Sequence, residues 1–251
     1  IMAAIPTTAI RVLFSATIPS AVQQLSDFIL RNPIVVRVSA TTSTCTTKDD
    51  DMPIEGEEGV IVTANPNIEQ RLMFVGREDG KLLAMRQLQQ SGGLNPPTLI
   101  FVQNKKRAEA LFTEIMLNNN HGSGMGRHQQ QRGQQLSLRV DVLHSGRSKK
   151  VREQTMMKFR QGQIWVLVCT DLVARGIDFR AVNTVINYDF PSSTAEYIHR
   201  IGRTGRGMER TGKAITLFTE SDMPTLRSFA PTLRQSGCIV EDWMLTAKTH
   251  G

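Results

Sequence analysis

Short apolar runs that alternate with helical stretches constrain this chain more than any other feature. "EQRLMFV" (69–75), "PTLIFVQ" (97–103), "LRVDVLH" (138–144), "IWVLVCT" (164–170), "NTVINYD" (183–189) and "GKAITLFT" (212–219) each read as a strand. Most are nearly continuous in apolar residues, the pattern of strands covered on both faces. Between them "REDGKLLAMRQLQQ" (77–90, weakened by Gly80), "NKKRAEALFTEIML" (104–117), "SKKVREQTMMKFRQG" (148–162) and "STAEYIHRIG" (193–202) read as helices. In the second of these Ala108, Leu111, Phe112 and Ile115 fall at helical spacing. "SDMPTLRSFAPTLRQSG" (221–237) reads as a last helix, with Pro224 near its start and Pro231 as a kink or break. Repeated β-α units of this kind predict an α/β fold, a parallel sheet flanked by helices.

The ends and interruptions divide the chain. In residues 1–38, "RVLF" (11–14) and "PIVVRV" (33–38) read as strands around a helix over "SAVQQLSDFIL". That piece is too small to bury two sheet faces alone. Residues 39–59 are polar and acidic without periodicity and read as a linker, which leaves 60–251 as the main domain. Residues 118–135, rich in Asn, Gln, Gly and His, read as a surface insertion. Its His121 and His128 have no cysteine or carboxylate beside them, so a polar loop is preferred to a metal site. The cysteines Cys45, Cys169 and Cys238 form no CxxC pair, which argues against structural zinc or a disulfide framework. Cys169 ends an apolar run and reads as a core thiol. No run approaches the ~18 apolar residues of a membrane helix. The opening residues lack the pattern of a signal peptide and read as a chain entered midway. Lys and Arg outnumber Asp and Glu by 30 to 23 in 251 residues, a net +7 that favours a polyanionic partner such as nucleic acid.

In a sheet of this type ligands sit beyond the carboxyl ends of the strands. "HSGR" (144–147) and "TDLVARGID" (170–178) follow strands, and "EYIHRIGRTGRG" (196–207) spans a helix and the loop after it. A helix from Thr194 turns Tyr197, Ile198 and Ile201 toward a core and places His199, Arg200 and Arg203 on other faces. Arg203 and Arg206, three residues apart, can converge on one target across a turn. Guanidinium forks suit phosphate oxygens, and their charge counts most against charge developing on a transferring phosphoryl group. On spacing alone, a solvated basic helix end accounts for the same residues.

The string "HRIGRTGRG" resembles motif VI of the DEAD-box RNA helicases, and other blocks of that family stand in order. "SAT" (15–17) resembles motif III, "LIFVQN" (99–104) motif IV and "TDLVARGID" motif V. "QRLMFVGREDGKLLAMRQL" and "INYDFPSSTAEYIHRIGRTGRG" are most similar to the Rok1-like subfamily of ribosome-assembly helicases. The resemblance implies a RecA-like second helicase domain, preceded by a short remnant of the first, with ATP and RNA bound between the two. The phosphate-binding lysine loop and the DEAD sequence are expected upstream of Ile1. Arg203 and Arg206 match the arginine fingers that contact the γ-phosphate. Asp178, after the tight turn at Gly176, matches the acid that contacts the ATP ribose. Thr170 and Gly176 match positions near the RNA backbone, and Arg152 matches an arginine that grips RNA. Lys149 and Lys150 add nonspecific attraction. Gln103 and Asn104 line the RNA path with Gly146, or cap the following helix. His199 matches the histidine that links motif VI to the first domain, and Ser15 and Thr17 match residues that couple nucleotide state to closure.

The resemblance implies ATP as substrate, Mg2+ held mainly by the first domain, and RNA, here pre-ribosomal RNA, as partner. It further implies ribosome-assembly proteins as neighbours, the nucleolus as location and no membrane. An RNA-binding or protein-docking module without enzymatic activity is the alternative for this stretch of chain taken alone.

Overall fold

A computed structural model of the chain describes residues 9–14, 20–30, 32–34, 36, 67–121, 139–171, 182–205 and 211–246. The chain divides into two compact units, Ile1–Thr63 and Ala64–Gly251.

In the first unit, helix α1 (Ser20–Ile29) forms where the sequence predicts one. Arg11 donates from its guanidinium to the carbonyl of Ile29, at the helix end, over 3.0 Å. "RVLF" is not a strand, and residues 33, 34 and 36 of the second expected strand lie outside any ladder. A strand needs a neighbour for its main-chain groups, and none is present among the described residues of this unit. Val12, Phe14, Phe28 and Ile34 are all exposed.

The second unit carries the predicted α/β architecture. Its strands are β1 (Ile68–Phe74), β2 (Thr98–Val102), β3 (Val140–Leu143), β4 (Val166–Thr170), β5 (Thr184–Asn187) and β6 (Gly212–Phe218). They form one six-stranded sheet in the order β1-β6-β5-β2-β4-β3, and every pairing is parallel. The helices are α2 (Gly80–Gln90), α3 (Lys105–His121), α4 (Lys149–Arg160), α5 (Thr194–Ile201), α6 (Met223–Gln235) and the short α7 (Asp242–Thr246).

Strand side chains alternate between faces, so the apolar runs supply two cores at once. Ile100, Val102, Val142, Val166, Val168, Ile186, Ile215 and Leu217 face one way, against Ala84, Met85 and Leu88 of α2 and Ala108, Leu111 and Ile115 of α3. Leu99, Phe101, Leu143, Leu167, Cys169 and Val185 face the other way, against Met156 and Phe159 of α4. Burial of each such side chain contributes roughly 1.5–3 kcal/mol. Cys169 is fully buried, the core thiol the sequence suggests.

Three helices depart from expectation. Gly80 opens α2 rather than weakening its middle; a Cβ there would run into the Val75 carbonyl. Helix α3 continues to His121, into the expected insertion, whose remaining residues lie outside the described ones. Pro231 neither ends nor breaks α6, which runs through it. The proline is exposed while Phe229, Ala230 and Leu233 are buried, so packing outweighs the one main-chain bond that proline cannot make.

Candidate nucleotide and RNA edge

Because every strand runs the same way, all carboxyl ends share one edge. The chain builds outward from β2 to β3 and β4 on one side, then crosses to β5 on the other. The edge over β4, β2 and β5 is therefore a topological switch point, where α/β sheets bind ligands. Asp171 follows β4, Gln103 and Asn104 follow β2, and Asp189 lies just past β5.

Helix α5 projects Arg200 into this edge. Ser193 caps its start by accepting the Glu196 amide at 3.1 Å. Arg200 is only 2% exposed, contrary to the expectation that it faces away from the core. Its Nε and Nη2 donate to the two oxygens of Asp171 at 2.8 and 2.6 Å. Nη2 also reaches Glu196 at 2.8 Å, and Nη1 donates to the Asp189 carbonyl at 2.8 Å. The guanidinium stands 5.4 Å from the centre of the Phe101 ring. A buried guanidinium needs carboxylate partners to offset lost hydration, and these donors are nearly all matched. Sequence reasoning missed this group.

Burial pushes the Asp171 carboxyl up, against the hydrogen bond from Arg200 and with the help of nearby Glu196. Burial also acts upward on Glu196, but bonds to Asp171 and Ser192 and the charge of Arg200 outweigh it and bring the group to about 2, from 4.5. A depressed carboxylate contributes stability above its unfolded value and loses it as pH falls through the folded one. Glu196→Gln is expected to flatten the acid limb of the urea midpoint against pH between 4.5 and about 2. An unaltered limb there would overturn this assignment.

Arg203 follows within one turn and is half-buried. Its amide donates to the Arg200 carbonyl at 3.1 Å. On its other side Thr204 is buried, its hydroxyl 2.7 Å from the Val182 carbonyl and 3.0 Å from that of Asn183. Burial raises the Cys169 thiol well above its usual range, Asp171 adds to this, and Arg200 and Arg203 oppose it. The turn closes at Gly205, whose φ of 68° suits glycine. A Cβ on Gly212 would collide with the Gly205 backbone nitrogen and the Thr204 hydroxyl. Gly212→Ala is expected to cost about 1–3 kcal/mol of stability by overpacking, read from urea unfolding.

The turn from β3 to α4 carries the residues assigned to RNA. The His144 Nδ1 accepts the Gly146 amide at 3.1 Å, which leaves Nε2 as the donor to Glu109 at 2.6 Å. Gly146 itself is exposed. Arg147 pairs with Asp141 at 2.8 Å, and Asp141 also accepts from Thr155 at 3.0 Å, which holds the turn to α4. Arg152 is half-buried, and its Nε is a buried donor without a hydrogen bond. Lys149 is exposed and only loosely paired with Glu153 at 3.9 Å. Asn104 caps α3, accepting the Arg107 amide at 3.0 Å, and Gln103 is exposed beside it. Thr170 is buried at the end of β4, and His199 is half-buried on α5. Ser15, Thr17, Gly176, Asp178 and Arg206 lie outside the described residues. Among the described residues no three His, Cys, Asp or Glu side chains cluster as a metal site, and no helix is long and apolar enough to cross a membrane.

A six-stranded parallel sheet flanked by helices, with Arg200 held over its switch point, is the architecture of a RecA-like domain of the helicase type. The chain belongs to the family described as "Helicase conserved C-terminal domain", whose pattern matches residues 80–208. It is 41% identical over 93% of its length to the ATP-dependent RNA helicase ROK1 of Eremothecium gossypii, covering 34% of that protein. It is 44% identical over the same share to the probable ATP-dependent RNA helicase DDX52 of Rattus norvegicus, covering 32% of it. The chain thus spans about a third of the curated relatives it matches. Among solved structures it is similar to S. cerevisiae Dbp5 L327V bound to RNA and ADP BeF3, with a TM-score of 0.67 and 27% identity over 94% of this chain and 51% of that one. It also matches the C-terminal domain of the DEAD-box protein Dbp5, with a TM-score of 0.52 and 30% identity over 69% of this chain and 88% of the other.

Proposed function

We propose that the protein carrying this chain is an ATP-dependent RNA helicase, in which this domain supplies arginine fingers and part of the RNA cleft. The observation that supports this most is the placement of Arg203. It follows directly on Arg200, whose buried guanidinium is held at the carboxyl edge of the sheet, and precedes Thr204, anchored to the main chain just before β5. An arginine that follows so anchored a helix can present its fork to a phosphoryl group, and electrostatic preorganisation is how phosphoryl transfer is chiefly accelerated.

In this reading ATP lies against a first RecA-like domain, of which residues 1–38 are a remnant. Arg203 and Arg206 meet the γ-phosphate on closure, and Asp178, set by Gly176, meets the ribose. Ser15, Thr17 and His199 couple nucleotide state to closure. RNA runs along the β3–α4 turn and the ends of β2 and β4, past Gly146, Lys149, Arg152, Thr170, Gln103 and Asn104. The guanidinium of half-buried Arg152 suits a phosphate oxygen. Contacts of this type read the backbone rather than base order. As the resemblance implies, Mg2+ is assigned mainly to the first domain. Pre-ribosomal RNA, ribosome-assembly proteins and the nucleolus complete the proposal, as the resemblance of the motif strings implies.

The test is RNA-stimulated ATP hydrolysis by the full-length protein with Arg203→Ala or Arg206→Ala. Turnover equal to that of the wild type would remove the arginine-finger role.

A further inference from the structure

Helix α4 carries more positive charge than its own electrostatics calls for. Five of its 12 residues are cations, Lys149, Lys150, Arg152, Lys158 and Arg160, against the single acid Glu153. Lys158 and Arg160 lie in the last turn, where positive charge complements the helix dipole. Lys149, Lys150 and Arg152 lie at the other end, where positive charge opposes the dipole, and the first turn holds no acid to compensate. The sheet does not use these charges. Met156 and Phe159 take the inner face and pack on the strands, while Lys150, Gln154, Met157, Lys158 and Arg160 are all exposed. Val151 and Met157 are the exposed apolar side chains of this helix, too few for the apolar centre of a protein interface. A polyanion is the complementary partner.

The strip continues past the helix. The Gln163 and Ile164 amides donate to the Lys158 carbonyl at 2.9 and 3.4 Å, and the Trp165 and Val166 amides donate to the Arg139 carbonyl at 2.7 and 3.1 Å. Residues 163–166 thus join the last turn of α4 to the start of β3. Arg139 is exposed there, with its guanidinium 5.3 Å from the centre of the Trp165 ring, a contact that holds the charge in place. Since α4 follows β3, its first turn stands at the carboxyl edge beside Gly146 and its last turn at the opposite edge. Positive charge therefore extends about 18 Å along the helix, away from the ligand edge.

We infer that the outer face of α4, extended by Arg139, is a second RNA contact, which takes the backbone of the strand where it leaves the cleft. The inference rests on the proposed helicase reading for its ligand and adds a surface remote from the β3–α4 turn. At about 3.4 Å per stacked nucleotide the helix spans roughly five nucleotides of flank. Lysine and arginine contacts to phosphate carry no base information, so the surface holds a flank of any sequence. Negative phosphates laid over the helix also offset the repulsion among Lys149, Lys150 and Arg152 at its start.

The experiment uses the full-length protein and two fluorescein-labelled oligo(U) probes, one of about six nucleotides and one of about sixteen, the second long enough to run the length of α4. Affinity is read by anisotropy over a range of salt, and ATP turnover is read with saturating short probe. The variants are the pair Lys158→Gln with Arg160→Gln, and separately Arg139→Gln, all exposed positions where folding should survive. The pair is expected to weaken binding of the long probe about tenfold and to lower its salt slope by about 1.4, the value for two lost phosphate contacts on a single strand. Arg139→Gln should give about half that change in slope. Affinity for the short probe, and the turnover it supports, should stay at the wild-type level. Unchanged affinity of both variants for the long probe overturns the inference. So does an equal loss on both probes, which is what a general loss of positive field would give. A short probe that fails to raise ATP turnover in the wild type sinks the helicase reading itself, whereas normal stimulation with wild-type binding of the long probe by the variants sinks only the second contact.

Discussion

Arg200→Ala is expected to lower the stability of the sheet domain by about 3–5 kcal/mol, the range for removing one partner from a buried ion pair. For a domain of this size that corresponds to a fall in Tm of roughly 10 °C. The side chain is nearly inaccessible and donates to Asp171, Glu196 and the Asp189 carbonyl. Its removal leaves two neighbouring carboxylates without their counter-charge and a buried carbonyl without its donor, the costly half of a broken pair. It also takes the cation from above Phe101. Arg200→Lys should recover only a minor part, because an ammonium cannot serve two carboxylates and a carbonyl in three directions. The deficit should shrink in acid, where Asp171, already pushed up by burial, takes a proton and needs no partner. Urea unfolding at neutral and acid pH measures all three. A loss under about 1 kcal/mol at neutral pH, the size of an ordinary surface pair, would refute the buried network.

Arg203→Ala is expected to reduce RNA-stimulated ATP turnover of the full-length protein by about a thousandfold, the lower end of what an arginine finger contributes to phosphoryl transfer. Stability should change little by comparison, because Arg203 is half-buried whereas Arg200 is closed in. Arg203→Lys should recover little activity, since a point charge cannot make the two parallel bonds of a fork. Single-turnover hydrolysis separates the chemical step from ATP binding. A variant that binds ATP more weakly but turns over normally at saturation would mean that Arg203 only binds the ground state.

The sheet was legible because its strands are short apolar runs with little else to be. Each strand was located within a few residues, and the helices between them followed from spacing. "RVLF" and "PIVVRV" have the same local look, but "RVLF" and the described residues 33, 34 and 36 lie outside any strand, because a strand is a property of two segments and sequence shows one. Helix α7 was missed because "DWMLT" is a single turn with no period to detect. Pro231 was read as a kink or break because propensity weighs one residue, whereas the helix is held by Phe229, Ala230 and Leu233.

The site was legible in part for a different reason. Arg203 was singled out by a motif; it is half-buried in the turn between Arg200 and Thr204. Arg200 was misread, although it lies three residues past buried Tyr197 and its spacing already put it on the same face. The assumption that charge at a helix end is solvated moved it outward. Its partner Asp171 is 29 residues away, and Asp189 draws on Arg107 at a distance of 82 residues and Lys81 at 108. No local pattern encodes such pairings, because the topology creates them when it gathers the strand ends.

Cys169 sits fully enclosed in the middle of the sheet, paired in register with Phe101 and Leu143. A maleimide can reach it only when β4 parts from its neighbours, so its labelling rate is a clock for breathing of the sheet. Ligands that merely fill the cleft would leave that clock untouched, whereas ligands that brace the strands themselves would slow it.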